Sequence, residues 1–261
     1  MNLIKKSLIA TSAFSILSAY SLMVNADTLS QTYSVDEGET LFVKTDAGSI
    51  NVKTHNSDSV EIEVEISGRD ADKFDVTFEQ SSSGVNVFGE RDEDWGWGGH
   101  SIKVKFYFYV PENYDLDLDT AGGSIKIEDL TGNVEAQTSG GSISLGDIVG
   151  DVDVNTSGGS IKVDSVYGEI DANTSGGSIN VEFKKQITEN AKLTTSGGSI
   201  TATLPDDIEI NLLASTSGGR VSTEFDVDGR IKKQSIKGKI NGGGPDLKLQ
   251  TSGGSVRINK S

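Results

Sequence analysis

The sequence predicts an all-β protein: a single-chain parallel β-solenoid of about 18 residues per unit, preceded by an N-terminal β-strand region. Three observations carry this. The hexapeptide Thr-Ser-Gly-Gly-Ser-Ile stands unchanged at 138–143, 156–161, 174–179 and 195–200. Thr120 to Ile125 has Ala for Ser, Thr216 to Val221 and Thr251 to Val256 keep Thr-Ser-Gly-Gly, and Thr45 to Ile50 is a degraded copy. From Thr120 the copies start 18, 18, 18, 21, 21 and 35 residues apart. Composition points the same way, with 31 Gly, three Pro and many Val, Ile and Thr in short alternating runs. Finally, apolar residues recur in columns at the repeat period.

The chain opens as a secretory signal. Lys5 and Lys6 precede the apolar Leu8 to Met23, and Val24-Asn25-Ala26 offers a small-residue cleavage site, so the mature chain is expected to start at Asp27. The expected divisions are a signal peptide over 1–26, an N-terminal β-strand region over 27–115, and solenoid repeats with a C-terminal cap over 116–261. Removing 1–26 takes away two lysines and no acids, moving the net charge from −16 to −18. Such a charge repels nucleic acid and anionic lipid. The absence of cysteine excludes disulfides, a cysteine-bound metal and an N-terminal lipidated cysteine. No later run is apolar enough for a membrane span. The expected setting is periplasm, cell surface or medium.

Residues 27–119 read as strands. Ile62, Val64 and Ile66 alternate with Glu61, Glu63 and Glu65; Ile102, Val104, Phe106, Phe108 and Val110 alternate with Lys103, Lys105, Tyr107 and Tyr109. The Glu row and the Lys pair would suit neighbouring strands. Phe74 to Phe78 and Val85 to Phe88 form two more strands about a turn at Ser81-Ser82-Ser83-Gly84, and Pro111 closes the strand before it.

From Tyr114 the columns can be read directly. The first inward position is Ile125, Ile143, Ile161, Ile179, Ile200, Val221 and Val256; two residues on come Ile127, Leu145, Val163, Val181, Ala202, Thr223 and Ile258. The returning strand supplies Val134, Val152 and Ile170, after turns at Gly132, Gly150 and Gly168. One unit cannot bury its apolar face alone, whereas stacked units bury a continuous one. The paired glycines (Gly122/Gly123, Gly140/Gly141, Gly158/Gly159, Gly176/Gly177, Gly197/Gly198, Gly218/Gly219 and Gly253/Gly254) are turn positions. Two reasons are expected: positive φ, and the crowding of successive corners stacked directly above one another. A left-handed β-helix needs an aliphatic residue every sixth position, a rule that Ile125, Thr131 and Gln137 break. Calcium-binding nonapeptide rolls need a Gly-Gly-x-Gly-x-Asp string that does not occur.

The period loosens around Lys184 to Asn190 and at Leu204 to Asp207. Lys184 to Lys192 is the one mildly helical stretch. The long unit 216–251, with Arg230, Lys232, Lys233, Lys237 and Lys239, and the tail Arg257 to Ser261 are expected to cap the stack.

These features together resemble a known family. The alternating N-terminal strands, Val110-Pro111-Glu112 leading into Leu116 to Thr120, the Thr-Ser-Gly-Gly-Ser-Ile series and Ile240-Asn241-Gly242-Gly243-Gly244 are similar to the bacterial putative-adhesin domain-of-unknown-function family. The resemblance covers residues 30–259. It implies a right-handed parallel β-solenoid in a cell-envelope setting, and supplies no catalytic site.

For chemistry the sequence offers two histidines, His55 and His100, and neither a Gly-x-Ser-x-Gly elbow nor a His-Glu-x-x-His zinc motif. No catalytic residue, metal ligand or cofactor is assigned. The expected function is adhesion, binding or envelope scaffolding toward a protein or glycan surface. The alternative is a polysaccharide lyase or hydrolase using paired carboxylates on a solenoid face. The binding candidates are Trp95, Trp97 and His100, in a glycine-flanked acidic loop that holds both tryptophans of the chain. Such rings either contact a ligand or cover the N-terminal edge as a lid.

Overall fold

The structure, a computed structural model, describes residues 28–92 and 101–261. The expected signal segment and the candidates Trp95, Trp97 and His100 lie outside the described residues. Two sheets face each other, and each repeat gives one strand to each. In the coil of Thr138, Val134–Thr138 runs into the corner in the incoming sheet, and Ile143–Val149 leaves it in the outgoing sheet. Coils are named below by their corner threonine. The Thr45 coil is Thr40–Thr45 with Ser49–His55, and the Thr120 coil is Asp115–Thr120 with Ile125–Ile127. The Thr156 coil is Val152–Thr156 with Ile161–Val166, and the Thr174 coil Ile170–Thr174 with Ile179–Glu182. Ala191–Thr195 with Ile200–Leu204 make the Thr195 coil. Ile210–Thr216 with Val221–Thr223 make the Thr216 coil, and Asp246–Thr251 with Val256–Lys260 the Thr251 coil.

The coils pair in parallel without a slip. Ile50, Ile125, Ile143, Ile161, Ile179, Ile200, Val256 and Val221 lie side by side in one inward row. All eight are buried, as are Val134, Ala136, Val152, Val154, Ile170 and Ala172 facing them from the incoming sheet. Each buried aliphatic side chain contributes about 1.5–3 kcal/mol, so the stack is held by a core as long as itself.

The corner explains its own sequence. Thr138 Oγ1 donates to the Gly123 carbonyl of the coil beneath at 2.8 Å and accepts the Gly141 N–H of its own coil at 3.3 Å. Thr156, Thr174, Thr195 and Thr251 repeat both bonds. On the outer side, Ser160 N–H donates to Ser142 Oγ, Ser178 to Ser160, and Ser199 to Ser178. Threonine is therefore needed inside, where it is buried, and serine outside.

The glycines call for two corrections. Of the paired corner glycines only Gly123 has a positive φ, 139°. The expected positive φ is absent at Gly122, Gly140, Gly141, Gly158, Gly159, Gly176, Gly177, Gly197, Gly198, Gly218, Gly219, Gly253 and Gly254. Close approach is the reason for the second glycine instead. A Cβ on Gly141, Gly159, Gly177, Gly198 or Gly254 would strike the carbonyl of the second glycine in the next coil. The first of each pair has more room, and a Cβ on Gly140 would meet nothing within 4 Å. The second correction concerns Gly219. Stacking in order of sequence would set it against Gly198, but a Cβ on Gly219 would strike the Gly254 carbonyl, which belongs to a later copy. Its hydrogen bonds agree: Thr216 Oγ1 donates to the Gly254 carbonyl at 2.6 Å and accepts the Gly219 N–H at 3.1 Å.

The enlarged units add apolar residues to the core. Lys184 to Asn190 is a loop, followed by the strand Ala191–Thr195, and holds no helix. Its Ile187 is buried, and so is Ile208 in the corresponding loop after Leu204. Gln186 joins the two loops, accepting Glu209 N–H at 2.8 Å and donating to the Glu209 carbonyl at 2.9 Å.

At both ends the order in space departs from the order in sequence. Gly84–Arg91 and Lys103–Pro111 form an outermost coil against the Thr45 coil, which itself lies next to the Thr120 coil. Antiparallel strands then finish this end: Phe74–Ser81 on Gly84–Arg91, and Ser59–Ser67 followed by Thr28–Ser34 on Lys103–Pro111. Glu65 meets Lys105 there at 2.7 Å, while Glu63 and Glu61 lie opposite Tyr107 and Tyr109 rather than lysines. At the far end the Thr251 coil inserts between the Thr195 and Thr216 coils, which is why Gly219 meets Gly254. The hairpin Asp228–Lys232 and Ser235–Ile240 then covers the incoming edge of the Thr216 coil. Asn241, with φ of 47°, and the positive-φ Gly242 and Gly243 make the reversal that sends the chain back between them. Asn241 Nδ2 anchors that turn on the carbonyls of Asp206 and Ile208.

Candidate functional site: the two outer faces

Because alternate residues of every strand point outward, the register converts the repeat into rows of surface side chains. On the outgoing face, the residues just beyond the Ile127–Leu145–Val163 row are Glu128, Gly146 and Asp164. A Cβ on Gly146 would strike the Asp129 carboxylate and backbone, so glycine stands where the neighbouring coil approaches closely between the two acids. Around it lies a shallow recess of about 400 Å³ lined by Thr54, Lys126, Glu128, Asp129, Ser144, Gly146 and Asp164. Its carboxylates are engaged. Glu128 pairs with Lys53 at 3.7 Å, and Asp164 with Lys162 at 2.6 Å. Asp129 Oδ1 accepts Asp147 N–H at 2.8 Å, and Asp147 pairs with Lys184 at 2.6 Å. Hydrogen bonding to Asp147 raises the Lys184 pKa. The recess thus presents balanced charge and several acceptors, suited to a polar, hydroxyl-rich group.

The incoming face is different. One row runs Phe42, Asp117, Glu135, Asp153, Asp171, Lys192, Lys248, Leu213, Lys237 and Arg230. Acids fill the half toward the N-terminal end and cations the other half. They meet at Asp171 and Lys192, paired at 2.6 Å. The Asp171 hydrogen bond, helped by the charges of Asp171 and Asp153, raises the Lys192 pKa. Burial first, and then the Asp119 charge, push the Asp117 carboxyl upward. The adjacent row is uncharged in its middle, through Gln137, Asn155, Asn173, Thr194, Gln250 and Ser215, and charged at its ends, with Asp119 and Lys44 on one side and Lys232 on the other.

A second recess, of about 340 Å³, lies near Glu37, Asp58, Glu112 and His55, whose Nε2 is 2.8 Å from the Ser59 carbonyl. The paired corner glycines, from Gly122 and Gly123 through Gly218 and Gly219 to Gly253 and Gly254, stand on the ridge between the faces. The second of each pair lies against neighbouring backbone. The strands on either side of the segment with Trp95, Trp97 and His100 meet that same ridge, for Gly89 lies beside Thr45, and Phe106 beside Ile50. Gly89 and Phe106 are therefore seventeen residues apart in sequence, where their partners Thr45 and Ile50 are five apart. Sequence reasoning missed the recess at Gly146, since a lone glycine outside the repeated corner gives no signal of its own. The acidic row was open to it in the 18-residue spacing of Asp117, Glu135, Asp153 and Asp171.

Among solved structures, the chain is similar to a putative cell adhesion protein from Clostridium sporogenes, at 15% identity over 90% of this chain and 100% of that one, with a TM-score of 0.38. It is also similar to a putative adhesin from Bacteroides fragilis, at 13% identity over 91% and 98% with a TM-score of 0.39. A putative lipid binding protein from Parabacteroides distasonis gives 15% identity over 91% and 98% with a TM-score of 0.32. No curated protein matches. The family model for Toastrack DUF4097 matches residues 39–167 and, overlapping them, 149–259.

Proposed function

The chain belongs to the Toastrack DUF4097 family, and we propose that it is an exported, non-enzymatic binding scaffold whose partner is a protein or glycan surface outside the cytoplasm. The length of chain between Gly89 and Phe106 supports this reading. Five residue steps join Thr45 to Ile50 and close that coil, whereas seventeen separate their partners Gly89 and Phe106, and Trp95, Trp97 and His100 fall within that longer stretch of sequence. Aromatic rings in that stretch would suit stacking on sugars or anchoring a protein partner, and the recess at Gly146 offers polar contacts on the outgoing face.

Cell fractionation identifies the compartment, and binding of the purified protein to envelope and extracellular polysaccharides and proteins from that compartment identifies the partner. Trp95→Ala with Trp97→Ala is expected to weaken that binding at least tenfold with an unchanged melting temperature. A large fall in melting temperature with intact binding would instead assign the tryptophans to an edge-covering lid. A second reading, polysaccharide cleavage, draws on the Glu128 and Asp164 carboxylates on either side of Gly146, two strand spacings or roughly 10 Å apart. Reproducible release of reducing or unsaturated ends, lost in Glu128→Gln, would replace the scaffold reading.

A further inference from the structure

The outward row of the incoming sheet is antisymmetric in charge. From Asp117 through Glu135 and Asp153 to Asp171 it is acidic, and from Lys192 through Lys248 to Lys237 and Arg230 every charged residue is basic. Like charges directly opposite on neighbouring strands destabilise a sheet. Here four acids lie in succession at strand spacings of roughly 4.8 Å. Only Asp171 has a cation beside it: among the described residues, Asp117, Glu135, Asp153, Lys248 and Lys237 are in no ion pair. Such a row carries a repulsive cost within one chain that an oppositely ordered row would relieve. The chain itself holds a row of that order.

We infer that the incoming face is a self-association surface, which pairs with a second copy of this chain about a two-fold axis parallel to the strands and set between Asp171 and Lys192. This operation reverses the row end to end and keeps it over itself, so that the contact is isologous. Asp171 then faces Lys192 of the other copy, Asp153 faces Lys248, Asp117 faces Lys237, and Phe42 faces Arg230, a cation–π pairing. Glu135 faces Leu213, the one unmatched position of the row. In the neighbouring row, Asn173, Asn155 and Gln137 face Thr194, Gln250 and Ser215, groups able to hydrogen-bond in either direction; further out Asp119 faces Ser235, and at the ends Lys44 faces Lys232, a like pair. A third row is mixed: Asp115 faces Lys239, an opposite pair, and Asp151 faces Asp246, a like pair that the charged row has to outweigh. Asp115, Asn133 and Asp151 already accept the backbone N–H groups of Asn133, Asp151 and Glu169 at 2.7, 3.0 and 2.9 Å. The inference is independent of the binding function proposed above, since it leaves the outgoing face and the corner ridge free.

The test is the mass of the purified protein by sedimentation velocity and native mass spectrometry, at low and high salt. A dimer is expected at low ionic strength, dissociating near 1 M salt, where the screening length falls to about 3 Å. Asp153→Lys alone or Lys248→Glu alone sets like charges together across the interface and is expected to leave monomers. The two changes combined restore opposite charges and the dimer. Asp153 is exposed and Lys248 half-buried, and circular dichroism of each variant checks that it is folded. A wild-type monomer at low salt would overturn the inference, as would a dimer that single reversals leave intact or the double reversal fails to restore. A wild-type monomer that binds polylysine through Asp153 would assign the face to a cationic partner, and equally overturn it.

Discussion

Thr156 donates its hydroxyl hydrogen to the carbonyl of Gly141, 2.8 Å away in the neighbouring coil. The same oxygen accepts the N–H of Gly159 at 3.3 Å, so one buried hydroxyl satisfies a backbone group in each of two coils. Thr156→Val keeps the shape and strands both groups. A loss of about 1–3 kcal/mol is expected by urea denaturation, while Thr156→Ser retains most of the stability. Equal losses in the two variants would show that the methyl, not the hydroxyl, matters here.

Gly140 and Gly141 are neighbours in one corner but differ in what surrounds them. A Cβ on Gly140 enters open space, and one on Gly141 meets the Gly123 carbonyl. Gly140→Ala is expected to change stability by no more than about 0.5 kcal/mol, and Gly141→Ala to cost about 1–3 kcal/mol or more as the coils are forced apart. Thermal denaturation of the pair of variants checks this.

The Thr251 coil is an interior layer. Leu249 is fully buried between the Thr195 and Thr216 coils, so Leu249→Ala should cost about 2–5 kcal/mol. Ile231, in the covering hairpin, is 60% exposed, and Ile231→Ala should stay within about 0.5 kcal/mol. Hydrogen exchange of Leu249→Ala is expected to show the first loss of protection over residues 210–240, which reach the rest of the stack through this layer.

The incoming face also makes stability depend on pH. The Asp117 pKa is raised in the fold by burial and by Asp119, so the folded state holds this proton more tightly than the unfolded chain does. Stability from this group is fully present below the ordinary carboxyl value and is lost as pH rises through the raised, folded one. Asp117→Asn should therefore raise the melting temperature at neutral pH and lose that advantage in acid. Lys192, also raised, works at the other extreme: its contribution persists below the ordinary lysine value and disappears as pH rises through the folded one. Asp171→Asn should remove that alkaline dependence in thermal melts at low protein concentration.

Which parts were legible in the sequence follows from what each one depends on. The inward row from Ile125 to Ile200 could be read directly, because neighbours in space are successive copies in sequence. Val221 and Val256 defeat that logic: they occupy the row in reverse order, because the turn at Asn241 to Gly243 sends the chain back into a gap. Gly219 shares their displacement, meeting Gly254 where the period alone would place Gly198. The same reversal hid the basic half of the charged row, since Lys192 and Lys248 touch only across a separation no period announces. The glycine corners were recognised as corners, but their cause is a carbonyl in another coil more than a backbone angle. The degraded copy at Thr45 kept its place in the stack even as its threonine turned to its own coil, donating to the Ala47 carbonyl.

The inserted layer also dictates a schedule. Residues 210–223 are made before residues 246–260, yet they join the stack only through them. A chain emerging N-terminus first can wind its coils one upon another as far as Leu204 and must then wait, holding the next coil and its hairpin apart like a hinged door. Closure comes when the later segment slides into the opening and bonds on both flanks at once. The last coil of the stack can thus find its partners only once residues 246–260 are in place.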